Sequence, residues 1–235
     1  MKKLLTILVI FSIACCYAQE KTITIDYTVE YLAPNKRKGT NDTITVGFEK
    51  NGKYIWTNSK SLARDLGKSM FRRNAEMLEN AELAIIYDTE KAALMMCFQS
   101  GENELFMNFE LSALVPMPFP SEDEEEFELI SENTQETINI ADRKATVYDV
   151  YPSHKNSEKI SVAFDDSLKV KNSQLFKKIF ELMFASKNNA NLLGFNIPDG
   201  LIMQVASDDE TMIKAHKVDT TQKTININYS FKIKE

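Results

Sequence analysis

Glycine is scarce in this chain, at 7 of 235 residues, and histidine scarcer, at 2. Loops that cradle phosphate with backbone N–H groups depend on glycine, and neither a phosphate loop nor a dinucleotide fingerprint is present. The two histidines, His154 and His216, belong to no His-x-x-x-His or His-Glu-x-x-His pattern, so no zinc site is predicted. A Gly-x-Ser-x-Gly elbow is also missing, which leaves Ser-His-Asp chemistry without its parts. The chain has no excess of positive charge either, with 28 Lys+Arg against 34 Asp+Glu. An acidic chain without a basic stripe is a poor partner for nucleic acid or an anionic membrane surface.

Cysteine is limited to Cys15, Cys16 and Cys97. The first two stand in a segment that has the three-part layout of a cleavable secretory signal. Lys2 and Lys3 supply positive charge, Leu4 to Ile13 an apolar core, and Cys16 and Ala18 small residues before Gln19. The apolar run is shorter than the roughly 20 residues that span a bilayer. Cleavage is expected after Ala18, with lipidation at Cys15 or Cys16 as the alternative. Removing residues 1–18 takes Lys2 and Lys3 away and deepens the formal net charge from −6 by two, to −8. Only Cys97 remains, so the mature monomer is expected to form no internal disulfide. Within Leu94-Met95-Met96-Cys97-Phe98 it reads as a small buried apolar residue.

What is abundant is alternation. Ile23, Ile25, Tyr27, Val29 and Tyr31 fall on one face of a strand over 22–31, with Thr24, Asp26, Thr28 and Glu30 on the other. Thr224 to Ile233 repeats the pattern, so both ends read as half-buried strands of an antiparallel sheet. Further strands are predicted between them, with turns at Asn51-Gly52, Asp88-Thr89-Glu90, Ser100-Gly101 and Asp142-Arg143. Two segments switch to helical spacing. Ser61 to Ala81 is amphipathic, with Ser59 or Ser61 as N-cap. Gln174 to Ser186 places Leu175, Phe176, Ile179, Phe180, Leu182, Met183 and Phe184 over a wide apolar face. Ser112 to Glu126 passes through Pro116, Pro118 and Pro120 into an acidic run, and reads as a long loop within one domain spanning 19–235.

Paired carboxylates at Asp165-Asp166 and Asp208-Asp209-Glu210 read as solvated turns, because no loop has calcium-ligand spacing around a central glycine. No metal and no cofactor is predicted. The ten methionines form no tight metal-binding cluster and read mainly as adaptable core packing.

The second half of the chain carries a family resemblance. Thr137 to Tyr148, the helix near Leu175 to Phe184, and Leu193-Gly194-Phe195-Asn196-Ile197-Pro198-Asp199-Gly200 resemble an uncharacterised family of exported Gram-negative bacterial proteins (domain of unknown function 4412-like). That family is similar in outline to lipoprotein-carrier half-barrels of the LolA/LppX kind. Two departures stand out: Ala141-Asp142 replaces the family's turn glycine, and its cysteine is absent near Ala145-Thr146. The resemblance implies a curved antiparallel sheet with helices plugging it, and carries over no catalytic or binding residue.

The expectation is therefore an α+β domain, a half-barrel-like antiparallel sheet of about ten strands wrapped around one or two amphipathic helices. The first and last strands are expected to share that sheet. The leading function is a non-enzymatic, exported envelope protein that binds a lipid or other apolar ligand. Candidate contacts are Met70, Met95, Phe106, Leu175, Ile179, Phe180, Met183 and Met203. The alternative is an interaction module for an envelope protein partner, working through Met117 and Phe119.

Overall fold

The structure is a computed structural model that describes residues 20–35, 39–58, 82–114, 125–155, 159–188, 190–207 and 210–228. The signal segment, the helix expected over 61–81, residues 115–124 of the proline-rich stretch and Tyr229 to Ile233 lie outside these residues, as do the side chains of 182–188.

The chain is α+β. In order it runs β1 (Glu20–Ile25), β2 (Tyr27–Asn35), β3 (Thr40–Phe48), β4 (Tyr54–Asn58), β5 (Glu82–Asp88), β6 (Ala93–Ser100) and β7 (Asn103–Glu110). There follow a one-turn helix α1 (Leu111–Leu114), β8 (Glu125–Ile140), β9 (Arg143–Pro152), β10 (Ile160–Asp165) and helix α2 (Asn172–Asn188). The chain continues through β11 (Ala190–Phe195), β12 (Leu201–Ser207), β13 (Glu210–Asp219) and β14 (Lys223–Asn228). Twelve strands form one curved sheet, not closed into a barrel, in the order β11-β8-β9-β10-β12-β13-β2-β3-β4-β5-β6-β7. Every pairing in it is antiparallel except β11 with β8, which is parallel. Fourteen strands are described rather than about ten. The excess comes from a split first strand and from β11. The acidic run, expected as part of a loop, instead enters β8 and lengthens it: Phe127 and Leu129 turn inward while Glu126 and Glu128 face solvent.

The first strand is where the structure departs most from expectation. The alternation from Ile23 to Tyr31 is unbroken in sequence, yet the chain bends at Asp26. Its backbone N–H donates to Phe48 O at 2.9 Å, and its carboxylate accepts Lys50 N and Gln222 Nε2, each at 3.0 Å. Before the bend, β1 pairs with β14 in a separate two-stranded ribbon. After it, β2 lies between β13 and β3 in the large sheet. The end strands thus pair with each other but not within the main sheet.

Register assigns the sheet two faces. Tyr27, Val29, Tyr31, Ile44, Val46, Phe48, Ile55 and Tyr87 share the front; Gly47, Trp56, Ile86 and Met95 share the back. The ribbon lies on the back face, where Ile23, Ile25 and Ile227 pack with Tyr54, Ile86 and Met95. Gly47 permits this approach: a Cβ there would stand 2.6 Å from Ile25 Cγ2 and 3.0 Å from Trp56 Cε3. Helix α2 covers the front face. Its start is fixed by buried Asn172, whose Nδ2 donates to Pro198 O at 2.7 Å and Gly200 O at 2.8 Å.

Turn chemistry shifts two expected joints. Ala141 and Asp142 both adopt positive φ, 47° and 59°, between paired Ile140 and Arg143. That is a two-residue type I′ hairpin one position earlier than expected, and it places an alanine where glycine or asparagine is favoured. The Asn51-Gly52 joint is a longer turn. Gly52 N donates to Glu49 O at 3.0 Å with φ of 80°, and a Cβ there would meet Lys171 O at 2.8 Å.

Candidate functional site

Between α2 and the front face lies a half-open cavity of about 370 Å³. Strands β2, β3 and β4 contribute Tyr31, Ile44, Val46, Phe48 and Ile55. Strands β9, β10, β12 and β13 contribute Val150, Ile160, Val162, Phe164, Ile202, Val205 and Ile213. The helix side supplies Phe176, Ile179 and Phe180, and the chain after β11 supplies Ile197. The strand contributors are mostly β-branched, as pleated surfaces favour. Among the described lining residues one side chain has a polar atom, and it is already engaged: Tyr31 Oη donates to Ile202 O at 2.6 Å. Burial pushes the Tyr31 pKa far up, so the hydroxyl stays neutral. The described lining residues offer a ligand dispersion contact and shelter from water, and none of them carries a charge.

The candidate contacts scatter. Ile179 and Phe180 line the cavity. Leu175 is fully buried one turn earlier on α2, and Met203 is fully buried in the same large core cluster; neither lines the cavity. Met95 and Phe106 lie on the back face, packed with the ribbon. Met70, Met117, Phe119 and the side chain of Met183 lie outside the described residues. Among the described residues no methionine lines the cavity; Met95, Met96 and Met203 are core. Reading the sequence for methionine therefore missed the sheet side of the cavity, whose signal is the run of Val and Ile on the front-face positions of β3, β10 and β12.

Two smaller features bear on chemistry. Burial pushes the Cys97 thiol up to about 11, which keeps it protonated at neutral pH and a weak nucleophile. Asp165, expected in a solvated turn, is buried because Arg143 Nε donates to its carboxylate while Arg143 Nη2 reaches Ser167 Oγ at 3.1 Å. Burial acts to raise the Asp165 pKa, but the hydrogen bonds from Ser167 and Arg143 together outweigh it and hold the carboxyl below its ordinary value. Thr146 Oγ1 donates to the neighbouring Asp166 at 2.7 Å. Among the described residues no three His, Cys, Asp or Glu side chains are grouped to hold a metal ion.

No family model matches the chain, and no curated protein matches it. Among solved structures it is similar to one described as PNGF-II, at 13% identity and a TM-score of 0.37. The match covers 83% of this chain and 28% of that one. The chain thus spans less than a third of that protein, and a likeness at this level carries no argument about function.

Proposed function

We propose that this chain is a non-enzymatic, exported envelope protein that holds a lipid or acyl chain in the cavity between α2 and the sheet. The observation that supports the reading is a half-open cavity of about 370 Å³ whose described lining residues present no unengaged polar atom. Ligand sites occupy about 300–1,000 Å³ and are mostly apolar, whereas a space of this kind without an occupant forfeits packing on every wall. Each methylene moved from water into it would contribute about 0.8 kcal/mol. The resemblance to half-barrel carriers points the same way, and the signal-like N-terminal segment supports an envelope location.

Organic extraction of the purified protein followed by mass spectrometry is expected to release lipid, and an apolar dye is expected to bind and be displaced by that extract. Lipid-free protein that also fails to bind the dye would refute the carrier reading. N-terminal sequencing of the exported protein is expected to begin at Gln19.

A further inference from the structure

Eleven of the sixteen described residues around the cavity are valine or isoleucine, and none is methionine. Two branches at Cβ hold such a side chain in few rotamers, whereas the unbranched thioether of methionine bends to fit what it meets. The strands that carry most of them, β10, β12, β13, β2 and β3, each have a paired neighbour on both sides. The wall is therefore stiff in its side chains and in its backbone, and the space beside it is fixed in size.

Tyr31 adds a tie. Strand β12 pairs with β13 only from Gln204 to Ser207, so the Ile202 carbonyl lies beyond that register. The Tyr31 hydroxyl reaches it from β2, across β13, at 2.6 Å. This bond pins the curvature of the wall and also uses the one proton the hydroxyl can donate. Among the described lining residues no side chain is left to donate to a polar group or to neutralise a charge. Burying a hydroxyl without a partner is costly, and burying an unpaired charge far more so. The polar end of an amphiphile therefore has no place inside.

We infer that the cavity takes one hydrocarbon tail, inserted end first with its polar head left in water at the open side, and that it selects by tail length and not by head. This rests on the carrier reading and narrows it. Tail length follows from volume. A dry apolar cavity of about 150 Å³ accepts one six-carbon benzene, which scales to a tail on the order of a dozen carbons for the cavity of about 370 Å³ here. A second tail of that length does not fit beside the first.

The test is displacement of an apolar dye from the purified protein by lysophosphatidylcholines, one-chain lipids that share a head and differ in tail length. Affinity is expected to rise about fourfold with each added methylene, and to level off near a dozen carbons. At a twelve-carbon tail, lysophosphatidylcholine, dodecanoate and dodecyltrimethylammonium are expected to agree within about tenfold, because the methylenes they bury are the same. The two-chain phosphatidylcholine with twelve-carbon tails is expected to bind no tighter than its one-chain counterpart. Ile179→Ala removes three carbons from a stiff wall and is expected to move the levelling-off outward by about as many. A rise that continues to eighteen carbons, a wider spread among the three heads, tighter binding of the two-chain lipid, or an unmoved limit in Ile179→Ala would overturn the inference and leave the carrier reading standing. Failure of every probe to displace the dye from wild-type protein would overturn both.

Discussion

Two regions of the large sheet solve one problem in opposite ways. Around β4 to β6 the back face is covered by the β1–β14 ribbon, whose isoleucines fit against Gly47, Ile86 and Met95. From β10 to β3 the front face is covered by α2, whose Phe176 and Phe180 pack against the sheet's core while Phe176, Ile179 and Phe180 also line a hollow. A flat ribbon of β-branched side chains meshes with a pleated surface at close range. A helix bearing rings touches the sheet along a stripe, and where the sheet curves away the gap remains. Filled and hollow halves follow from the shape of the cover more than from the hydrophobicity of the residues, which is alike in both.

Truncation should separate the halves most strongly. Ile25→Ala, at a fully buried ribbon position, is expected to cost about 3 to 4 kcal/mol. Ile179→Ala, on the cavity wall, is expected to cost only about 1 kcal/mol because its side chain is already part-exposed. Urea denaturation of both variants measures the gap, and equal costs would erase the distinction. Addition of volume reverses the sign. Gly47→Ala forces Ile25 and Trp56 aside and is expected to cost about 2 kcal/mol. Val205→Phe, projecting into the hollow, is expected to be neutral or to stabilise by up to about 1 kcal/mol while abolishing dye binding. A severe loss of stability in Val205→Phe would mean that half is packed after all.

Arg143 tests a polar tie in the hollow half. Removing it in Arg143→Ala leaves the buried Asp165 carboxylate supported by Ser167 alone, at a cost of about 2 kcal/mol near neutral pH. The folded-state pKa of Asp165 is lowered, so its contribution is complete above the ordinary carboxylate value of about 4 and is lost as pH falls through the lowered value. Wild type and variant should therefore converge in stability under more acid conditions, and a gap that persists unchanged to pH 2 would assign the effect to packing of the Arg143 stem. The smallest effect is expected at the hairpin. Ala141→Gly relieves a left-handed alanine and should stabilise by about 0.5 kcal/mol, net of the added chain entropy of glycine. Thermal melting resolves a shift of that size.

Much of the sheet was legible from period-two alternation, as in β2 and β14, and α2 from its wide apolar face. The bend at Asp26 was not. Alternation continues across it, and what turns the chain is a carboxylate held by Lys50 and Gln222, 24 and 196 positions away. The cavity was half legible. Ile179 and Phe180 stood out on the helix, but a valine facing a void reads the same as one facing a neighbour. Met95 and Phe106 misled for a related reason: β6 is apolar on both faces, with Met95 and Cys97 on the back and Met96 and Phe98 on the front, so sequence alone does not say which side holds the ligand.

The ribbon also orders events in time. Thr22 and Asn226 hydrogen-bond across 204 positions, and contacts of such high sequence separation form slowly because the loop between them must close first. Hairpins such as β5–β6 and β12–β13 need only their own turns. They assemble early, and the strip of Tyr54, Ile86 and Met95 stays wet until β14 arrives to complete its cover. The molecule is thus at its stickiest shortly before it is finished, and the latch that ends this exposure is made from strands near opposite ends of the chain.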